Sequence, residues 1–463
     1  MTNVRDFGAT GDGTTDDTEA IQHAVDESVG LLVFPKGTYR ITQPIRIELA
    51  KCGRTAIDGT GGTAKIIMAG PGPALSFVAT HASTADPAGF RPEEWKNERM
   101  PMVRDIEIEG GHVKADGIRI NGVMQPTLTG ILVREVHTAV HITSRARNVL
   151  ISHCHFYHNT GVGIHLDKVN LHQTIITGTH ISYCALGGIR IEDSEIRNLQ
   201  ITGNDIEYNN AKSHEGADNE AATGEIYVDV RKGSVREGTI CSNTIQATYS
   251  PNGANIRFIG RGGDQNHKAG MWTITGNLIG SQAYNVHLES CRGITITGNH
   301  MYSAHKRNIL IEGSRNIVLS ANCFGHNPDY KDKEICTGIE INNSEDCVVS
   351  GMLVEDCDAG QNTVSGSPPL KRQASFEISN SNRVIVSAVQ LTNSSPQGFL
   401  VKDSSDTTIH ACTVLESRQT SKLKHAVSWQ GRGSGNMLAN CRLKNEPSIG
   451  KDSGVTSAGH VIG

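Results

Sequence analysis

Between Gly163 and about Cys347, apolar and polar residues alternate in short phrases that recur down the chain. One phrase reads Gly-Ile-His-Leu-Asp (163–167), Gly-Ile-Arg-Ile-Glu (188–192), Glu-Ile-Tyr-Val-Asp (225–229), Asn-Val-His-Leu-Glu (285–289) and Asn-Ile-Leu-Ile-Glu (308–312). A second follows it: Gln-Ile-Thr-Gly-Asn (200–204), Thr-Ile-Cys-Ser-Asn (239–243), Thr-Ile-Thr-Gly-Asn (273–277 and 295–299) and Val-Leu-Ser-Ala-Asn (318–322). Alternation with period two predicts strands with Ile, Val and Leu on one face. Two short strands per unit, repeated many times, predict a solenoid rather than a closed globule. The second strand ends at Cys154, Thr179, Asn204, Asn243, Asn277, Asn299, Asn322, Met352, Val389, Cys412 and Asn440, so the base coil is 22–25 residues and longer steps are insertions.

With the aliphatic residues inward, the first strand of each coil points a polar set outward. The set is His165 and Asp167, Arg190 and Glu192, Tyr227 and Asp229, Arg257, His287 and Glu289, Leu310 and Glu312, and Glu340 and Asn342. Stacked strands lie about 4.8 Å apart, so equivalent residues on adjacent coils are neighbours. Asp167, Glu192 and Asp229 then form a row of three carboxylates, and Glu289 and Glu312 form a second pair. The coil carrying Arg257 and Ile259 separates the two groups. Crowded carboxylates push one pKa upward and create an acid beside an ionised base. Spacings of about 5–5.5 Å suit a retaining glycosidase and about 6.5–9.5 Å an inverting one. The candidate catalytic residues are therefore Glu192 and Asp229, with Asp167 as the third member. His165, Arg190, Tyr227, Arg257, His287, Glu289 and Glu312 are the candidate substrate-binding residues. Against this stands a plain structural role, in which the same acids end solvated strands and pair with Arg190 or Arg257.

Insertions flank this column. Residues 211–222, 248–254, 326–336 and 358–373 precede the first phrase of their coils, and 260–270 follow it, as walls of a groove would. The five asparagines from Asn204 to Asn322 predict a ladder of amides bonded from coil to coil. His153, His155 and His158 cluster in one turn and read as hydrogen-bonded turn histidines rather than a metal site.

Near the amino terminus, Asp16 followed by Glu19 fits a capped helix start, and Ala20, Ile21, Ala24 and Val25 give it one apolar stripe. Such a helix covers the open end of a solenoid. Residues 3–41, from Asn-Val-Arg-Asp-Phe-Gly-Ala through Asp-Gly-Thr-Thr-Asp-Asp-Thr to Phe-Pro-Lys-Gly-Thr-Tyr-Arg-Ile, resemble the amino-terminal signature of the pectate-lyase-like superfamily. That resemblance implies an all-β chain, a single-stranded right-handed parallel β-helix with a short amino-terminal capping α-helix. The implied division is a cap over residues 1–30, a β-helix over 31–443 with a loop at 79–100, and a polar tail over 444–463. Members of the superfamily are polysaccharide lyases, glycoside hydrolases, fructotransferases, uronan epimerases and phage tailspikes. The coils from Gly-Gly-Ile-Arg-Ile-Glu to Ile-Thr-Gly-Asn-Asp-Ile are also similar to inulin fructotransferases, which implies a homotrimer with carboxylates acting in clefts between subunits.

Composition narrows the partners. Net charge is −5 over 463 residues, which argues against nucleic acid held on a basic face, and no apolar run reaches the length of a membrane span. The eleven cysteines are odd in number and form no C-x-x-C pair, and several recur at equivalent coil positions, Cys154 and Cys184 on turns and Cys241, Cys323, Cys412 and Cys441 near the second strand, so stacked, buried free thiols are expected. No leader is read at Met1, so a secreted or periplasmic location is expected only if one has been removed, and a cytoplasmic one otherwise.

The leading expectation is an enzyme that cleaves or rearranges glycosidic bonds of a poly- or oligosaccharide with a carboxylate pair and no cofactor. The alternatives are a uronan lyase or epimerase, for which calcium is the expected ion, and a non-catalytic glycan-binding solenoid. Three tryptophans, Trp95, Trp272 and Trp429, are few for the last of these.

Overall fold

The computed structural model describes residues 1–83, 86–210, 222–247, 249–261, 269–327, 329, 338–355 and 372–463. The chain divides into two compact units, Met1–Asp218 with Gly224–Thr239, and Asn219–Thr223 with Ile240–Gly463.

In the first unit the helix Thr18–Asp26 buries Ile21, Ala24 and Val25. Asp17, not Asp16, takes the N-cap position, and the reciprocal bond to Glu19 does not form. The Asp17 carboxylate is drawn away by the main-chain N–H groups of Thr10 (2.7 Å) and Gly11 (3.0 Å), while Asp16 accepts from Thr18 N (3.1 Å). The stretch 79–100, expected as a loop, contains the short helix Pro92–Asn97, with proline in its first turn. Glu94 accepts from Arg91 N at 2.8 Å and closes its amino end.

Beyond this cap the unit is a stack of parallel strands. Val162–Thr177 pairs with Thr138–Ser152 on one side, and with Gly187–Glu192 and Glu195–Thr202 on the other. These long strands turn a corner at a register shift between Thr143 and Ser144, where Ser144 (φ 61°) and Lys168 (φ 47°) adopt the left-handed conformation. Each coil then adds a third strand of three residues, such as His155–Tyr157, His180–Ser182 and Asp205–Glu207. The sequence pattern shows two strands per coil, because three residues are too few for alternation to register.

The second unit repeats the plan. One coil runs Tyr284–Glu289, Cys291–Thr297 and His300–Tyr302, and the next runs Arg307–Glu312, Arg315–Ser320 and Cys323–Gly325, all in parallel register. The asparagine ladder is present here. The main-chain N–H groups of Asn243, Asn277 and Asn299 each reach the next amide oxygen, of Asn277, Asn299 and Asn322, at 3.0 Å. The side-chain amides add bonds of 2.9, 2.9 and 3.0 Å. A second ladder, not read from the sequence, joins Asn255, Asn285 and Asn308 at 2.8 and 2.6 Å. In the first unit Asn204 accepts from Thr179 N at 3.1 Å.

Residues 444–463 differ from expectation. Ser448–Ile449, Val455–Ala458 and Val461–Ile462 pair with the preceding coil as three short strands. They were hidden because a terminal strand buries little and its side chains need not be apolar.

Both cores are narrow and aliphatic, with Ile164, Leu166, Ile189, Ile191, Ile226 and Val228 fully buried in the first unit and Ile294, Ile296, Ile309 and Ile311 in the second. Each such side chain contributes about 1.5–3 kcal/mol. Nine free cysteines are described, of which Cys154, Cys184, Cys291, Cys347, Cys412 and Cys441 are buried. Cys52, Cys241 and Cys323 are half-buried, against the expectation for the last two, because their coil positions alternate to the outer face. Cys336 and Cys357 lie outside the described residues.

Candidate active site

The outward column of the first unit stands as expected. Asp167 pairs with Glu192 and Glu192 with Asp229, and beside them His165 pairs with Arg190 and Arg190 with Tyr227. Glu192 is the hub. Arg190 grips both its oxygens, with Nη2 at 2.8 Å from Oε1 and Nε at 3.2 Å from Oε2, and His165 Nε2 lies 3.0 Å from Oε2. Burial would raise this carboxyl, but the bonds and charges of His165 and Arg190 outweigh it and lower it to about 2. The upward push expected from crowding is therefore reversed at Glu192. Asp229 is clamped in the same way: the main-chain N–H of Arg231 donates at 3.0 Å and its guanidinium at 2.9 Å, with the Tyr227 hydroxyl at 3.4 Å. Burial and the Asp229 charge push Tyr227 up to about 12, so it keeps its proton. The Arg190 guanidinium lies over the Tyr227 ring at 4.4 Å.

One coil earlier stands His141, which the sequence reading passed over. Its ring stacks on His165 at 5.5 Å and lies 3.6 Å from Asp167. Burial first, then the charges of His165 and Arg119, lower its pKa. The signal for it was one coil upstream, where Val-His-Ile-Thr (140–143) continues the phrase of Ile-His-Leu-Asp (164–167).

The second unit arranges its acids differently. Glu289 pairs with Glu312 and His287 with Leu310, as expected. His287, buried, lies 2.7 Å from Glu312 through Nε2. That bond is the main cause lowering the Glu312 carboxyl, opposed by burial and assisted by the Arg257 charge. Arg257 is buried and donates to Asn252 O at 2.9 Å. Glu289 is exposed and meets no cation among the described residues. Beyond Leu310 the column continues through Glu340 and Glu377, which the pattern showed only in part. Buried Arg307 serves both, 3.1 Å from Glu340 and 2.7 Å from Glu377. Burial is the main cause raising the Glu340 carboxyl; the Arg307 charge and hydrogen bond oppose it, and the charges of Glu377 and Glu312 assist it.

Of the expected walls, 211–222, 260–270, 326–336 and 358–373 fall largely outside the described residues; 249–254 are described, with Tyr249 and Ser250 buried and Gly253 and Ala254 opening the strand Gly253–Ile259, so they belong to the coil rather than to a wall. Of the turn histidines, His155 stacks on His180 at 5.1 Å and His158 on Tyr183 at 5.0 Å. Calcium does not suit these donors: Glu192 and Asp229 are already occupied by guanidinium groups. Among the described residues, no three His, Cys, Asp or Glu side chains converge as a metal site.

These features define a class, the right-handed parallel β-helix. Residues 97–229 and 226–414 match the family described as right-handed β-helix region, and the chain belongs to that family. Residues 1–98 match a second model, rhamnogalacturonase A/epimerase, pectate lyase-like. Alginate lyase 7 of Azotobacter vinelandii is 52% identical over 44 residues, 9% of this chain, and the match spans only 5% of that curated relative's length. The mannuronan C-5 epimerase AlgE6 A-module of the same organism covers 100% of this chain and 99% of its own at 15% identity, with a TM-score of 0.39. DFA-IIIase from Arthrobacter chlorophenolicus A6 covers 88% of this chain and 93% of its own at 15% identity, with a TM-score of 0.43.

Proposed function

We propose that the protein cleaves or rearranges a glycosidic bond in a poly- or oligosaccharide, with Glu340 as proton donor and Glu312 as its ionised partner. One observation carries this reading: Glu312 and Glu340 stand on adjacent coils, two residues apart in register, Glu340 opposite Leu310 and Glu312 opposite Asn342, and their environments shift them in opposite directions. Such a pair supplies an acid that is protonated when the leaving group needs a proton, and a carboxylate that is free to act as nucleophile or base. Arg307 holds Glu340 in place without saturating it, because the same guanidinium is shared with Glu377.

A second reading places the chemistry on the row Asp167–Glu192–Asp229, as β-elimination or epimerisation of a uronan. It is favoured by the imidazole of His141, whose pKa is lowered by burial and by the charges of His165 and Arg119 and which can accept a proton from carbon. Glu192 and Asp229 then act as ionised partners that hold the cationic groups in place.

The test is turnover on a panel of neutral polysaccharides, alginate and pectate, with product analysis. Glu340→Gln is expected to lose about 100-fold or more in kcat, the contribution of a general acid. Retained activity in Glu340→Gln and Glu312→Gln, with loss in Glu192→Gln or His141→Ala and an ultraviolet-absorbing unsaturated product, moves the chemistry to the first unit. No turnover on any polysaccharide removes both readings.

A further inference from the structure

Beside Glu340 the second unit opens a recess of ≈ 250 Å³ whose lining includes Glu340, Asn342, Glu377, Ser379, Leu400 and Lys402. Its floor and walls come from three successive coils in register. Glu340 stands opposite Glu377, and Glu377 opposite Leu400, while Asn342 stands opposite Ser379, and Ser379 opposite Lys402.

The polar groups of this recess are held from behind and leave one side open. Glu377 Oε1 accepts from Arg307 Nη2 (2.7 Å), Gln373 N (2.9 Å) and Ala374 N (3.1 Å), which leaves Oε2 without a donor among the described residues. The Asn342 amide oxygen accepts from Ser379 Oγ and Asn380 Nδ2, both at 3.1 Å, so its N–H₂ group is available as a double donor. Lys402 is exposed and meets no carboxylate among the described residues. Leu400 is buried and gives the recess an apolar patch.

Fixed carboxylate acceptors, a free amide donor and an ammonium around an aliphatic patch match a polyol ring. Vicinal hydroxyls donate to a carboxylate and accept from an amide, while the C–H face of the ring covers the leucine. An acidic substituent in the same place would face Glu377.

We infer that this recess is a sugar-binding subsite for a neutral, hydroxyl-rich residue of the glycan, one position along the column from Glu340. The inference rests on the reading that places the acid at Glu340. It further implies that the glycan runs across successive coils, along the solenoid axis.

The test is calorimetric titration of the full chain, carrying Glu340→Gln to prevent turnover, with neutral gluco-, manno-, xylo- and fructo-oligosaccharides and with an oligogalacturonate. KM and kcat are measured in parallel on the otherwise unaltered enzyme. At least one neutral oligosaccharide is expected to bind. Ser379→Trp, which fills the recess, and Asn342→Ala are each expected to weaken it about tenfold, the value of one or two lost contacts, and to raise KM more than they lower kcat. Lys402→Ala, an exposed change that leaves the fold intact, is expected to weaken it less. Unchanged affinity in Ser379→Trp overturns the subsite, as does tight binding of the oligogalacturonate that Lys402→Ala abolishes. If Glu340→Gln retains turnover while Ser379→Trp weakens binding, the catalytic reading fails and the subsite stands. If Glu340→Gln is inactive while Ser379→Trp leaves KM unchanged, the subsite fails alone.

Discussion

The two units carry the same device, carboxylates stacked in register on one strand column, yet Glu192 in the first is lowered and Glu340 in the second is raised. In the first unit each paired carboxylate has its own guanidinium, Arg190 for Glu192 and Arg231 for Asp229. In the second, Arg307 serves Glu340 and Glu377 together. Full pairing outweighs burial and lowers the Glu192 carboxyl, whereas at Glu340 burial outweighs an Arg307 that is shared with Glu377 and raises it. A row of acids on a solenoid is therefore not in itself an acid–base pair. Burial and the number of cations per carboxylate together set the direction in which each acid of the row is shifted.

The comparison breaks most visibly at its shared cation. Arg307→Ala leaves two half-buried carboxyls facing each other, and a loss of about 3–5 kcal/mol is expected in urea unfolding. Adding Glu377→Gln should restore part of it, because one carboxyl then carries no charge. If Arg307→Ala costs no more than a surface change, the second cluster is not built on that residue.

The pH dependence sharpens the contrast, since Glu192 and Glu340 should respond with opposite sign. Glu192 is held at about 2, below its unfolded value, so its stabilisation is present above about pH 4.3 and is lost as pH falls toward 2. Glu192→Gln should lower Tm at neutral pH, and the gap should close in acid. Glu340 is raised, so its contribution is present below about pH 4.3 and is lost as pH rises through its folded value. Glu340→Gln should match the parent in acid and exceed it at neutral pH. A Tm-against-pH series on both variants checks this, and equal signs would remove the distinction between the clusters.

The smallest effect belongs to the exposed clamp. The Arg231 side chain is 62% exposed, so Arg231→Ala should cost less than about 1 kcal/mol, and still less at high salt. A larger loss would mean that the first unit depends on its clamps as the second depends on Arg307.

Most of the scaffold was legible in the chain. The alternation of Ile164, Leu166, Ile189 and Ile191 with polar neighbours identified the strands, and their recurrence identified the stack. In a parallel stack, residues equivalent in the repeat must lie side by side, so the rows Asp167–Glu192–Asp229 and Glu289–Glu312 and the asparagine ladder followed directly. His141, Arg231, Arg307 and Glu377 were missed for two reasons. Some lie where the phrase is shorter or follows an insertion, and others act from a neighbouring position of the strand rather than from the row itself.

What the sequence alone determined was register: which residues share a column and which face the core. It did so because an aliphatic interior enforces a period of two along the strand and one coil along the axis. What only the tertiary structure decided was which carboxyls are shifted and in which direction. Side-chain reach, burial and the sharing of one guanidinium set those pKa values, and none of them has a period that can be read along the chain. Arg190 and Arg307 are both arginines on a first strand, yet one silences a single carboxylate and the other divides its charge between two.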